Sequence, residues 1–484
     1  MFKDGGLFVF HNNLWHQDEK LLLLKYYIGE EIPKQLLKIN MSLSKTALDD
    51  TVGNREKELA KATLTVITKG ITKCNSASGG KNIAECVLRQ LSALNFDHIE
   101  FDSNPYILPF KSEVYDLKEH TLRKPRREDY IILTTCYDHE QSSAEEMERL
   151  DGIIRKIFPN EAIRNNYMAY LATCLYGTHI EKFIMANGGG GNGKGLLNGL
   201  MLALLGDKLS YVGNNSVLLN PLKEGINIQV ANMNKKRLVI FREPDADKKI
   251  NTETMKELTG DGEISAESKY SNDDKIRLMA TFILECNARP LFSGKMDNAV
   301  VRRLIDIAFT STFTNDETLL NDTELENIHK ADVYFKTKEF KEVYKHALFS
   351  YLVNFVKDYE ATHGVPVYEK ITDCKEVLDR TKDFIESCDE VYGFVKENYE
   401  RGDATDFVKM VDMYADFKNK VMVDFTKEQK RALTKKKFVS DIKTNMYLGR
   451  FYKDLKKING VQHRSILCGW REKNIDDGIA EDFE

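Results

Sequence analysis

The sequence predicts an α/β protein organised around a phosphate-binding loop, with a mainly helical N-terminal region and a C-terminal winged-helix-like domain. Three observations carry that expectation. The first is Gly188-Gly189-Gly190-Gly191-Asn192-Gly193-Lys194-Gly195, set between the apolar run Lys182-Phe183-Ile184-Met185-Ala186 and a helical run that begins at Leu196. The second is a pair of later buried-strand patterns, 236–241 and 281–286, each closed by polar residues. The third is apolar spacing of three and four residues on both sides of this core, as in Leu150, Ile153, Ile154 and Ile157, the mark of helices with one buried face.

The loop comes first because it sets the chemistry. Strand, glycine loop and helix in this order let backbone N–H groups converge on phosphates while the lysine reaches the β and γ oxygens. Gly188, Gly189, Gly190, Gly191, Asn192, Gly193, Lys194, Gly195 and Leu196 are therefore the candidate nucleotide-binding residues, with Lys194 central. The loop fits G-x-x-x-x-G-K but not the final Ser or Thr, whose hydroxyl ordinarily ligates Mg²⁺. Gly195 stands there instead.

Lys236-Arg237-Leu238-Val239-Ile240-Phe241 reads as a buried strand ending in Arg242-Glu243-Pro244. A carboxylate at a strand end downstream of the loop suits Mg²⁺ or the attacking water, and Glu243 is the candidate for both roles; the alternative is a surface Glu capping a strand. Its predecessor is Arg242 rather than a second acid. Mg²⁺ keeps several waters when it is bound with phosphate oxygens, so one protein carboxylate can suffice. Asn287, closing Thr281-Phe282-Ile283-Leu284-Glu285-Cys286, is either a γ-phosphate or water contact or a turn residue before Pro290. Between these strands, 260–277 reads as a hairpin carrying Lys269 and Lys275, which either touch phosphates or form a solvated charged loop. Arg302 and Arg303 precede the apolar run 304–309; arginine's planar fork suits a γ-phosphate, and the alternative is pairing with a local acid such as Asp297 or Asp306.

The 484 residues suffice for roughly three domains, and the 30% charged, 42% hydrophobic composition is that of a soluble globular chain. No run approaches the ~18 apolar residues of a membrane span, and the N-terminus lacks signal-peptide shape, so a cytoplasmic or nuclear protein is expected, neither secreted nor membrane-bound. The eight cysteines are scattered without C-x-x-C pairs, which excludes an evident zinc site or disulfide frame. Net charge is −5, yet residues 427–464 are strongly basic, including Lys435, Lys436, Lys437 and Lys443. A basic module on a mildly acidic chain suggests a face for a polyanion; a partner-protein surface is the alternative.

Taken in order, residues 1–140 form an α+β region with strands near 6–10, 13–15, 105–110 and 114–117 and helical patterning at 42–69 and 81–94. Asp97, His98, Glu100 and Asp102 lie close in sequence but read as a solvated strand end. Residues 141–180 form a helical collar, 181–312 the nucleotide core, and 313–380 a helical lid or linker with helical patterning over 323–360. In 381–484, helical patterns at 385–399, 408–421 and 427–445 precede a wing turning at Asn459-Gly460, with 434–445 as its recognition helix. The acidic tail 474–484 is expected to fray.

The loop, Glu243, the lysine hairpin, Asn287 and Arg302-Arg303, in this order within residues 188–303, resemble the superfamily III helicases, and specifically the poxvirus-type primase-helicases of large DNA viruses, phages and plasmids. Phe110-Lys111-Ser112-Glu113-Val114-Tyr115-Asp116-Leu117 and 167–177 are similar to the helicase-associated region of that family. The resemblance implies an AAA+-type hexameric ring that hydrolyses ATP with Mg²⁺ and translocates on single-stranded or forked DNA during replication, with a primase or polymerase as partner. Under it Lys194 binds phosphate, Glu243 assists hydrolysis, Asn287 senses the γ-phosphate, Arg302 or Arg303 is the arginine finger, and the lysines touch DNA. The rival reading is a DNA scaffold or loader that holds ATP without productive turnover, favoured by Gly195 and Arg242.

Overall fold

The computed structural model describes residues 1–3, 5–222, 228–245, 247–260, 263–265, 275–294, 296–424, 427–445 and 447–473. Chain contacts divide the protein into two units, Met1–His139 and Glu140–Glu484. In the first, β1 (Gly6–His11) and β2 (Leu14–Gln17) form an antiparallel hairpin. Its turn residues Asn12 and Asn13 both hold left-handed backbone, φ 49 and 65, as a tight two-residue hairpin turn requires.

The helical stretch 42–69 is divided between α1 (Ile32–Leu48) and α2 (Asn54–Asn75), followed by α3 (Ala77–Ser92). The break has a local cause: Asp49 Oδ1 accepts both the N–H and the hydroxyl of Thr51, offering the backbone a turn in place of the helix ladder. A small antiparallel sheet of β3 (Ile107–Pro109), β4 (Val114–Asp116) and β5 (Thr121–Arg123) completes this unit. Asp102 is structural, since its Oδ1 accepts the N–H groups of Ile132 and Leu133 at 2.8 and 2.9 Å.

In the second unit α4 (Ala144–Ile157) and α5 (Glu161–Thr173) start on side-chain caps, Ser143 with Glu146 in a capping box and Asn160. There follow β6 (Phe183–Asn187), α6 (Lys194–Leu209), β7 (Ser210–Val212), β8 (Leu238–Arg242), β9 (Glu263–Ser265), β10 (Lys275–Arg277), β11 (Thr281–Cys286), α7 (Asn298–Arg303) and β12 (Leu304–Ala308). Five of these strands make one parallel sheet in the order β12-β6-β11-β8-β7. Every residue of β6 and β11 is buried, which is why these segments are apolar almost throughout: helices cover both faces of a parallel sheet. Phe183, Met185, Phe241, Phe282 and Leu284 share one face with Phe384 and Ile385. β9 and β10 pair antiparallel, Ser265 opposite Lys275.

Residues 323–337, expected to be helical, hold only a 3-10 turn of helix at Val333–Lys336. β13 (Thr312–Thr314) pairs in parallel with β14 (Ile328–Lys330), and the long helix α8 (Lys338–His363) begins only afterwards. Asp316, Asp332 and Thr337 each bond a nearby backbone N–H through the side chain, competing with a continuous helix. The next helix, α9 (Lys375–Ser387), lies against β12.

The C-terminal part comprises α10 (Glu390–Asn398), β15 (Phe407–Lys409), α11 (Met410–Lys420), α12 (Lys435–Thr444), β16 (Tyr452–Ile458) and β17 (Val461–Cys468). Its sheet runs β15-β17-β16, and Phe394, Phe417, Phe438 and Ile442 lie in its core. The β16–β17 turn is at Asn459-Gly460, φ 48 and 83. The expected helices 385–399 and 427–445 are each interrupted, where Asp389 caps α10 and Thr434 caps α12. The tail 474–484 lies outside the described residues. Among those described, no helix is long and apolar enough to cross a membrane.

Candidate nucleotide-binding site

The glycine loop leaves β6 at Asn187 and enters α6 at Lys194, so the helix N-terminus, with its unpaired N–H groups, points at whatever the loop encloses. Gly193 is required: its φ is 89, and a Cβ there would lie 2.6 Å from Ile157 Cγ1 on α4. At Gly191 the carbonyl accepts the N–H of Phe313 at 2.6 Å, stapling β13 to the loop. Lys194 Nζ turns back onto the carbonyl of Gly188, that of Gly189 at 3.2 Å and Asn192 Oδ1 at 3.2 Å. Burial pulls its pKa below the usual lysine value, against the nearby Cys286, Glu285 and Glu243. At Gly195 a Cβ would meet nothing within 4 Å, so steric exclusion does not explain the missing hydroxyl.

Glu243 follows β8 in left-handed backbone, φ 45, and donates its N–H to the Glu285 carbonyl at 2.8 Å. That link holds it beside Asn287, whose Nδ2 lies 3.4 Å from Glu243 Oε1. Loop residues Gly190 to Leu196, Glu243, Glu285 and Asn287 line a cavity of about 430 Å³ together with Phe313, Asp332, Phe335, Lys336 and Lys341. The structure thus brings the loop, Lys194, Glu243 and Asn287 to one place, the carboxyl edge of the sheet, where open α/β sheets bind ligands.

Sequence reasoning did not single out Glu285, nor Phe313, Asp332, Phe335, Lys336 and Lys341. An acid inside an otherwise apolar strand was a usable signal for Glu285. Asp332 and Phe335 gave none, because the periodicity around them imitates a helix.

Residues 3–159 match a family described as D5 N terminal like, and residues 186–303 a family of unknown function, DUF5906. A protein of Acanthamoeba polyphaga mimivirus named as a helicase candidate, L207/L206, is 24% identical over 436 residues, covering 88% of this chain and 44% of its own. Primase D5 of Fowlpox virus (strain NVSL) is 28% identical over 300 residues, 59% of this chain and 38% of that protein. The D5 N terminal like match and these viral relatives support a poxvirus-type primase-helicase family. It spans less than half the length of these two relatives. Among solved structures, the apo C-terminal region of NrS-1 aligns over 76% of this chain and 84% of that one, at 14% identity and TM-score 0.39.

The two arginines lie away from the cavity. Both end α7, at the amino edge of the sheet. Arg302, largely exposed, reaches Glu181 at 2.9 Å. Arg303 is buried, donating to the carbonyls of Thr259 and Ala299 and facing Glu181 at 3.4 Å. Neither pairs with the acids the sequence suggested. Asp297 caps α7 and holds Lys256 at 3.1 Å, and Asp306 holds Arg289 and Arg380 at 2.8 and 3.1 Å.

Lys269 lies outside the described residues, and of Lys275 only the backbone is described, as the first residue of β10. On α12, Lys435 and Lys436 are exposed, whereas Lys437 pairs with Asp441, and Lys443 pairs with Asp454 at 2.8 Å beside the Tyr452 ring.

Proposed function

We propose that this chain is the ATP-hydrolysing motor of a DNA-replication helicase, acting as a homo-hexameric ring on single-stranded or forked DNA at a cytoplasmic or nuclear replication site, with a primase or polymerase as partner. The observation that carries the reading is the cavity in which the glycine loop, Lys194, Glu243 and Asn287 meet. The strand order, with β6 between β12 and β11, and the short C-terminal sheet against α10 to α12 support the AAA+-type core and the winged-helix-like domain.

In this mechanism the loop amides and Lys194 hold the triphosphate, Lys194 leaving the Gly188 and Gly189 carbonyls to do so. Glu243 orients the attacking water, and Asn287 fixes the Glu243 carboxylate while reaching toward the γ-phosphate. Mg²⁺ bound with the nucleotide would neutralise charge on the phosphate oxygens; the carboxylates on the cavity wall suit a hard cation. The arginines lie a full strand length from their own loop, so a finger acts on the neighbouring copy, and Arg302 is the accessible one. The hairpin lysines and the C-terminal module contact DNA.

Gly195 and Arg242 favour a second reading, a DNA scaffold or loader that binds ATP without turnover. Steady-state ATP hydrolysis with Mg²⁺, with and without single-stranded DNA, separates the two. DNA-stimulated turnover lost in Lys194→Ala is the motor's outcome; tight binding of ATP and DNA without turnover is the scaffold's.

A further inference from the structure

The motor reading leaves one buried carboxylate of the cavity without a role. Glu285 is 6% exposed, one residue from the end of β11. Strand alternation turns it away from the apolar face of Phe282 and Leu284 and toward α6. There Asn198 Nδ2 donates to its Oε1 at 2.8 Å, while Asn198 Oδ1 takes the Tyr167 hydroxyl at 2.5 Å. Both Asn198 and Tyr167 are fully buried. The other oxygen, Oε2, faces Arg242 Nε at 3.1 Å.

A buried acid held this firmly has its carboxylate aimed in a fixed direction. A carboxylate has about four acceptor positions, and these two partners occupy two of them, on a side chain that also lines the cavity with Glu243 and Gly195. The strand register sets Glu285 directly opposite Arg242, the position where a second acid before Glu243 is missing. The negative charge absent from β8 is therefore present one strand over.

We propose that Glu285 is the second carboxylate of the nucleotide site. It holds the hydrated divalent cation that accompanies the phosphates, in place of the acid missing at 242 and the hydroxyl missing at 195. The inference rests on the nucleotide reading of the same cavity. Glu285 is a positioning residue that acts through the cation's water shell, and such outer-shell partners typically account for 10–100-fold in metal affinity.

The test uses the whole 484-residue chain and Mn²⁺ as the probe, with free Mn²⁺ counted by electron paramagnetic resonance in saturating ADP. Nucleotide affinity in EDTA is measured in parallel with a fluorescent ADP. Glu285→Gln should leave the EDTA affinity within about twofold and weaken Mn²⁺ about 10–100-fold. Gly195→Ser in that background, entering the open space beside 195, should recover several-fold. Unchanged Mn²⁺ affinity in a Glu285→Gln chain that still binds ADP overturns the inference while leaving the nucleotide site intact. If the wild-type chain binds no ADP even in EDTA, the cavity reading itself falls and takes the inference with it. Should Glu285→Gln not fold, Glu285→Asp keeps the charge beside Arg242 and must still weaken Mn²⁺ several-fold; no loss there overturns the inference equally.

Discussion

At the carboxyl edge of the central sheet, side chains from three strand ends converge on one cavity; at the amino edge, the charged groups face one another. Lys194, Glu243, Glu285 and Asn287 line or flank the first. Glu181, Arg302 and Arg303 meet at the second. The five residues of β6 separate the two edges, about 16 Å at the usual rise per residue. One copy therefore carries acids and a lysine where phosphates would bind, and its arginines where they cannot reach them. If the motor reading holds, the amino edge of one copy completes the carboxyl edge of another.

The largest effect expected from this contrast is at Arg302. Arg302→Ala should cut DNA-stimulated ATP turnover about 10³-fold, the lower end for a trans-acting arginine. It should leave the thermal midpoint unchanged, because the side chain is largely exposed. Turnover equal to wild type would break the proposed complementarity of the edges.

Next in size is Lys194→Ala, which removes the one cation of the carboxyl edge that the loop itself supplies, with a loss of about 10²–10³-fold in turnover. Mixing the two inactive variants sharpens the comparison. A ring containing both has interfaces where an intact Lys194 meets an intact Arg302, so the mixture should turn over faster than the sum of its parts. A mixture as dead as its components would place both groups in one copy's site.

Arg303 is the internal control. It sits beside Arg302 but is buried against the Thr259 and Ala299 carbonyls, so Arg303→Ala leaves acceptors unpaired at a cost of about 1–3 kcal/mol. Denaturant unfolding should show that loss. Destabilisation by Arg302→Ala and not by Arg303→Ala would reverse the assignment of the two.

How much of this was legible follows from where each residue lies in its pattern. Glu243 and Asn287 each close an apolar run and the glycine loop carrying Lys194 follows another, so strand reading alone puts all three beyond strand ends. A parallel sheet then gathers those ends at one edge. Glu285 lies inside its run, where an acid reads as an interruption, and its partners Asn198 and Arg242 come from other elements. The pairing of Arg302 with Glu181 depends on the register of β12 against β6, which no local pattern encodes. Asp332 and Phe335 were hidden because Phe340, Tyr344, Leu348 and Leu352 keep helical spacing just beyond them, while Asp332 and Thr337 cap separate turns. In the N-terminal unit, α1 and α2 read as one helix because their sequences remain helix-compatible on both sides of the Asp49–Thr51 turn.

The smallest effects belong to α12, where the same question of free against engaged charge recurs. Lys435 and Lys436 are exposed, while Lys437 and Lys443 are held by Asp441 and Asp454. A lysine that neutralises a DNA phosphate releases counterions, and losing it lowers the slope of log affinity against log salt by about 1. Lys435→Gln and Lys436→Gln should each produce that change in single-stranded DNA binding measured across a salt series. Lys443→Gln should change the slope by less, because its charge is already partly neutralised by Asp454. Equal slopes for all three would mean that the ion pair opens on DNA at no cost, and α12 would then be a uniformly basic face; unaltered slopes for Lys435→Gln and Lys436→Gln would move DNA contact elsewhere on the chain.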